Sequence, residues 1–418
     1  MSNLRKLLSL FLVVVLMFPI SGCYDRVELE GMAFVVSLGL DKGPDNTIDV
    51  TARIAVPSKL SGGTVGGGGG GGKDEELGGT KPITVRAHSI GEALTLLNTT
   101  VERQISLMHL ASIGIGESLA REGVINYLRP LARYREFRRT VVLYVMPGNV
   151  REVYEKNQPI LERSVTRFTE SVTEVGRHTG LGVTNKLHEF IVSLETPNED
   201  PIAAVLALNP KAKEQVGERE ESELSFEPGK VVRQGGNPLE FTGTAVFQND
   251  RLVTYLDGID TRMLLTIRGE LRRTQMDFPD PFEKERFVSL ELKHARAPVV
   301  KVDLTTDPIR VKIRQRLEGD LIGTQTGLDY TKPSDMNILE KSIAQRLAER
   351  QKKLIEHIYH EYQADPFGIL KRTRGQFATF PDLKAFDFRT KLQDAEVDVE
   401  VDLQVRRVGI QLSPLQPK

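Results

Sequence analysis

Apolar and polar positions follow three different rhythms along this chain. The first is a short positive start, Arg5 and Lys6, followed by an apolar run from Leu7 to Phe18. The second sets compact apolar runs between segments of helical period. Met32 to Asp41 fits a buried strand, and Thr47 to Val56 places Ile48, Val50, Ala52 and Ile54 on one face of a neighbour. Ile83 to Arg86, Met108 to Ile115 and Thr140 to Val145 predict further strands. Between them, Ser89 with Glu92 three residues on reads as a capped helix start running to about Gln104. Leu119 to Arg138 predicts a helix interrupted by Pro130, and Pro159 to Val175 and Asn185 to Leu194 predict two more.

The third rhythm begins after Lys211 to Asn237, a stretch rich in Glu, Lys, Gly and Pro that reads as a linker or long exposed loop. Thr242 to Phe247 and Leu252 to Leu256 flank Gln248-Asn249-Asp250-Arg251, a hairpin signal. A short helix near Thr261 to Ile267 follows, then strands over Phe287 to Leu292, Val299 to Leu304 and Ile309 to Leu317. Asp335 to Tyr362 predicts a long helix whose stripe is Leu339, Ile343, Leu347, Leu354, Ile358 and Tyr362. Val397 to Val405 alternates strictly with Asp398, Glu400 and Asp402, the pattern of a half-buried strand. The expected fold is multi-domain α+β: a mixed α/β N-terminal region, then an antiparallel sheet with a long helix. The boundaries are a leader over 1–22, an N-terminal region over 23–210 of one or two subdomains, and a link over 211–240. A C-terminal domain over 241–410 and a tail over 411–418 complete the chain.

The leader carries chemistry. Charge, a short greasy segment and then Ser21-Gly22 is the layout of a secretory signal. About a dozen apolar residues fall short of the ~20 needed to span a hydrocarbon core. The only cysteine of the chain, Cys23, follows directly. A thiol there is the nucleophile that accepts a diacylglyceryl group, and small residues before it admit the peptidase to the Gly22–Cys23 bond. Cys23 is therefore expected to carry an S-linked diacylglyceryl group, with an N-acyl chain as an optional addition. Two acyl chains suffice for stable anchoring where one does not. The mature chain would lie outside the cytoplasmic membrane, held by its first residue, and with no second thiol it could form no internal disulfide.

Composition narrows the function. The formal charge of −1 lacks the concentrated basic surface that nucleic acid demands, and aromatic residues are only 6% with no tryptophan, which argues against stacking platforms. Gly62 to Gly79 is a flexible insertion around the block Gly66 to Gly72. Gly67 to Lys73 imitates a phosphate loop, but Asp74 and Glu75 stand where a hydroxyl is required. His357 and His360 are three apart, not the four of a zinc-protease helix, and read as a solvated helix end. His88, His109, His178, His188 and His294 stand singly. Asn98-Thr99-Thr100 matches a glycosylation acceptor and reads as part of a helix surface. No catalytic, cofactor or metal site emerges, so no enzyme is expected. The wet faces of Ile309 to Leu317, basic, and Val397 to Val405, acidic, are candidate interfaces, though such faces are more often plainly solvated.

Cys23-Tyr24-Asp25-Arg26 with Glu28-Leu29, then an apolar strand ending Gly39-Leu40-Asp41, resembles the start of the Ger(x)C family. Gly243-Thr244-Ala245-Val246-Phe247, Asp250-Arg251-Leu252-Val253 and Leu256-Asp257 resemble the family's hairpin. Asp365-Pro366-Phe367-Gly368 and Arg406-Arg407-Val408-Gly409 resemble its close. Tyr24 stands where tryptophan is frequent, and the glycine block is extra. The resemblance implies a non-enzymatic, lipid-anchored C subunit of a nutrient germinant receptor, with A and B subunits as partners in the spore inner membrane. A lipid-anchored solute-binding protein is the alternative, expected to show two similar lobes around a hinged cleft. A lipid-anchored hydrolase is a weaker one still.

Overall fold

The computed structural model describes residues 2–17, 31–55, 82–134, 138–162, 165–213 and 224–408. Helix α1 (Ser2–Met17) covers most of the apolar leader. The Gly22–Cys23 bond and the segment from Gly62 to Gly79 lie outside the described residues.

Nine strands form the first sheet: β1 (Met32–Lys42), β2 (Ile48–Ile54), β3 (Pro82–Ala87), β4 (Gln104–Ser106), β5 (Ser112–Gly116), β6 (Val142–Met146), β7 (Ile202–Leu208), β8 (Leu239–Gln248) and β9 (Arg251–Leu256). Their order is β3-β2-β1-β5-β6-β7-β8-β9, with β4 beside the start of β1. The four central strands β1, β5, β6 and β7 run parallel, and antiparallel pairs close each edge. Central parallel strands bury both faces, and β5 and β6 are buried at every position. One face meets helices α2 (Ile90–Leu97), α3 (Glu117–Glu122), α4 (Ile125–Arg133) and α7 (Leu187–Glu195), through Leu143, Val145, Ala203 and Val205. Alternate residues Tyr144, Met146, Ala204 and Leu206 face the other way, toward α5 (Val150–Lys156). Helix α6 (Val165–Thr179) also lies on this second side, with Gly176 against the Phe241 ring.

The second sheet, β10 (Thr274–Pro279), β11 (Phe287–Asp303), β12 (Arg310–Thr324) and β13 (Glu396–Val408), follows helix α8 (Gly258–Arg268). The long helix α9 (Pro333–Tyr362) and two short ones, α10 (Phe380–Ala385) and α11 (Phe388–Leu392), stand between β12 and β13. That crossover makes β13 pair parallel to β12, while the other three strands are antiparallel. The apolar stripe of α9 is buried as expected at Leu339, Ile343, Leu347, Leu354 and Ile358. Its one gap is filled by a buried Gln351, whose amide donates to Gln315 Oε1 at 3.2 Å and accepts from Gln315 Nε2 at 2.7 Å.

Several boundaries differ from the periodicity. The helix from Ser89 stops at Leu97, because Asn98, Thr99 and Thr100 turn their side chains onto the last carbonyls, at 2.9, 2.7 and 2.9 Å. The Asn98-Thr99-Thr100 motif is thus a helix stop, and Gln104 belongs to β4. Within Leu119 to Arg138 the described residues form two helices, broken at Gly123 with φ +132° and ending at Arg133, and Pro130 sits inside the second. Phe287 to Leu292 and Val299 to Leu304 are one bent strand, bulged between His294 and Val299, where Pro298 offers no amide to the ladder. The helix expected over Pro159 to Val175 is Val165–Thr179. Strand β7 had no counterpart in the pattern: Ile202–Leu208 is alanine-rich and buried on both faces, so it shows neither alternation nor high strand propensity. The stretch Lys211 to Asn237 connects two neighbouring strands of one sheet, and the hairpin after it adds to the first sheet.

Candidate functional site

The family-like marks acquire physical roles in the fold. Gly39, in the middle of β1, lies under α5: a Cβ there would fall 2.5 Å from Val150 Cγ1 and 3.2 Å from the Tyr154 ring. Asp41, two residues on and buried, accepts the Val150 amide hydrogen with both oxygens, at 3.0 and 3.1 Å. Its negative charge sits at the start of α5, where orphan amides point. Burial nevertheless pushes its carboxyl above the ordinary range. Tyr154 hangs from the same helix, donating to Leu38 O at 3.2 Å, with the Arg53 guanidinium 5.5 Å from its ring centre. In the hairpin, Gly243 adopts φ +87° and Asp257 caps α8 by accepting from Asp260 N at 2.7 Å.

The most concentrated polar site is where Asp365-Pro366-Phe367-Gly368 meets the residues just before β7. Asp365 is completely buried; it accepts from the Leu370 amide at 2.7 Å and from the Tyr359 hydroxyl at 3.2 Å. Its own backbone amide donates to Asp200 Oδ2 at 2.8 Å, and the Asp200 amide donates back to Asp365 O at 3.2 Å. Asp200 is held by Arg389 from α11 at 2.9 Å and accepts the Asn249 amide of the hairpin turn at 2.8 Å. Beside it, Glu199 takes Lys371 at 2.7 Å, and Arg268 donates to Pro366 O at 2.7 Å. Burial first, then the nearby Asp200, raises the Asp365 carboxyl to about 7. The hydrogen bonds are mutual, so this junction is built to clamp two parts of the chain.

The two candidate interface faces prove to be partners. Arg310, Lys312, Arg314 and Arg316 on β12 stand level with Glu396, Asp398, Glu400 and Asp402 on β13, and each level is an ion pair at 2.7–3.0 Å. The basic and acidic rows therefore neutralise one another on one exposed face.

His357 and His360 are both exposed, and His357 stacks edge-on against Tyr362. Among the described residues no group of three or more His, Cys, Asp or Glu side chains is placed to hold a metal, and no helix is long and apolar enough to cross a membrane. His88 and His178 sit beside Glu92 and Glu174, His109 packs edge-on to Phe34, and His188 is exposed. His294 is part-buried in the β11 bulge, where burial lowers its pKa. The two sheets differ in strand number and connection, unlike the similar lobes of a hinged solute-binding protein.

Comparison with known proteins matches this architecture in order along the chain. A family model described as the spore germination protein N-terminal domain covers residues 25–208, and one described as spore germination B3/GerAC like, C-terminal, covers residues 242–409. The chain belongs to the Ger(x)C family. Among Ger(x)C relatives, Bacillus subtilis YfkR, provisionally named a spore germination protein, is 24% identical over 94% of both chains. Spore germination protein KC of the same organism is 21% identical over 99% of this chain and 98% of its own. The crystal structure of the GerBC protein superposes with a TM-score of 0.51 at 16% identity, covering 88% of this chain and 96% of that one, which shows a shared Ger(x)C fold.

Proposed function

We propose that this chain is a lipid-anchored, non-catalytic C subunit of a nutrient germinant receptor, working with A and B subunits at the spore inner membrane. The observation that carries the reading is the order of its parts. An export signal over 1–22 and then Cys23 are followed by the two family segments over 25–208 and 242–409, with nothing inserted between anchor and body. The hydrogen-bonded Asp365 junction and the neutralised β12–β13 face suit a scaffold, since their charged groups are already partnered within the chain.

The test is Cys23→Ala expressed in spores. The variant is expected to fold, to leave the membrane fraction and to fail in nutrient-triggered germination. The amino-terminal peptide of the parent should carry the mass of a diacylglyceryl group. A normal nutrient response from a variant absent from the membrane would refute the reading. Co-purification from spore inner membrane should recover two further membrane proteins, and recovery of an importer permease would instead favour the solute-binding alternative.

A further inference from the structure

The four parallel strands give the first sheet two unlike ends, and the described body starts at the end where they begin. Gly31 precedes Met32, which pairs with Gln104, so Arg103 stands level with the residue where the described body starts. Seven residues lie between Cys23 and Gly31, a link that reaches at most about 29 Å when extended. Ser37, Ser112 and Val142 lie level across β1, β5 and β6, which puts Arg138 and Arg139 at this same end, a few residues ahead of Val142. The Arg139 carbonyl accepts from the His188 amide at 3.0 Å, and its guanidinium reaches Ala132 O at 3.5 Å, bringing in Arg133 at the close of α4. All four arginines are exposed, and among the described residues none has a carboxylate partner. That contrasts with β12, where every arginine is paired. Acids stand at this end too: Glu102 is beside Arg103, Glu170 lines the same open cavity of about 520 Å³ as Arg138, Glu195 and Asp250 line another with Arg133 and Arg139, and Glu174 is engaged by Arg177, but among the described residues none is within ion-pair distance of the four arginines.

Apolar side chains stand among these cations. Met108 is 40% exposed in the turn between β4 and β5, and Tyr134 is 44% exposed directly after Arg133. Exposed aromatic and apolar side chains interleaved with arginine suit a membrane interface, where the cations meet headgroup phosphates and the rings enter the boundary layer. Ala55 and Pro82, the described residues flanking the 56–81 segment, belong to this end too, since the Ala55 amide donates to Phe34 O at 2.9 Å and Pro82 pairs with Arg53.

We infer that this end of the first sheet, centred on Arg103, Arg133, Arg138 and Arg139, docks directly on an anionic lipid surface. The docking fixes how the body stands on the membrane and does not leave it swinging from its anchor. The inference rests on the lipid anchoring proposed above and adds a second, electrostatic contact to it. The link from Cys23 to Glu30 carries Asp25, Glu28 and Glu30 against Arg26, so the attraction must come from the body. An acidic protein surface is the competing occupant. The membrane is favoured because the arginines stand beside Gly31, the described body residue nearest Cys23 in the sequence, and are mixed with apolar groups.

The test is hydrogen exchange on the full chain reconstituted with phosphatidylcholine vesicles, with and without phosphatidylglycerol. Peptides spanning 103–110 and 138–146 are expected to gain protection only on the phosphatidylglycerol vesicles. They should lose it near 1 M salt, where the screening length is ~3 Å. A variant carrying R103Q, R133Q, R138Q and R139Q, all surface changes, should lose roughly fivefold in docking affinity for each arginine removed. Equal protection on both vesicles, protection on neither, or full protection in the fourfold variant would overturn the inference. The mass of the amino-terminal peptide, read on the same sample, reports separately on lipidation of Cys23. A lipidated chain without lipid-dependent protection therefore refutes the docking and leaves the anchor intact.

Discussion

Asp365 is the residue whose surroundings say most about its role. Its side chain is fully buried, accepts two hydrogen bonds and faces Asp200, and its carboxyl is raised to about 7. An unfolded aspartate titrates near 3.9. Because the folded pKa is the higher one, the folded state holds the proton more tightly. The group's contribution to stability is complete below about pH 4 and declines as pH rises toward 7. The melting temperature of the parent protein should therefore fall as pH is raised from about 5 to about 7.5. Asp365→Asn, neutral throughout, should flatten that slope. Equal slopes for parent and variant in a pH series of thermal scans would show that Asp365 does not titrate in this window. The Asp365-Pro366-Phe367-Gly368 string was readable in the sequence as a mark, but its partners Asp200, Asn249 and Arg389 were not. They are distant in the chain, and nothing in local pattern announces a buried pair of acids.

At the scale of elements, the long and strongly periodic segments were legible: β1, β2, the β8–β9 hairpin, α9 and β13 lie close to their predicted bounds. Elements that tertiary context defines were not. Strand β7 is an alanine-rich run that only burial on both faces makes a strand, and β4 is three residues held by β1. The helix stop at Asn98 and the break at Gly123 depend on side-chain and backbone geometry that hydrophobic period does not report. Asp41 shows how one side chain ties an element down. Asp41→Ala should leave the buried Val150 amide without its acceptor, at a cost of about 1–3 kcal/mol by urea denaturation at unchanged m-value. Asp41→Asn keeps an acceptor oxygen and should lose less. Indistinguishable midpoints for parent and alanine variant would mean that α5 is held by packing alone.

For the whole molecule, the division by rhythm near residues 211–240 does not coincide with a division of the core. The buried cluster that begins at Tyr144, Met146 and Ala204 on the first sheet runs on through Leu264 and Ile267 of α8 to Ile313, Ile355 and Val399. Helix α8 is the bridge, with Thr244 and Thr261 hydrogen-bonded at 2.9 Å between β8 and the helix. With the Asp365 clamp holding the other contact, the body should unfold in a single calorimetric transition whose van't Hoff and calorimetric enthalpies agree. Leu264→Ala, at a position with no exposure, should lower that one transition by about 2–5 kcal/mol of stability and not split it. Two resolved transitions in the parent would show independent halves.

The parallel pairing of β12 with β13 has a consequence for how the polypeptide is made. Synthesis delivers Arg310 to Arg316 some eighty residues before the acids that answer them, so for that interval four like charges sit on an open strand edge. Such an edge resists joining its own kind in a neighbouring nascent molecule, and the late arrival of Glu396 to Asp402 completes the neutralised row.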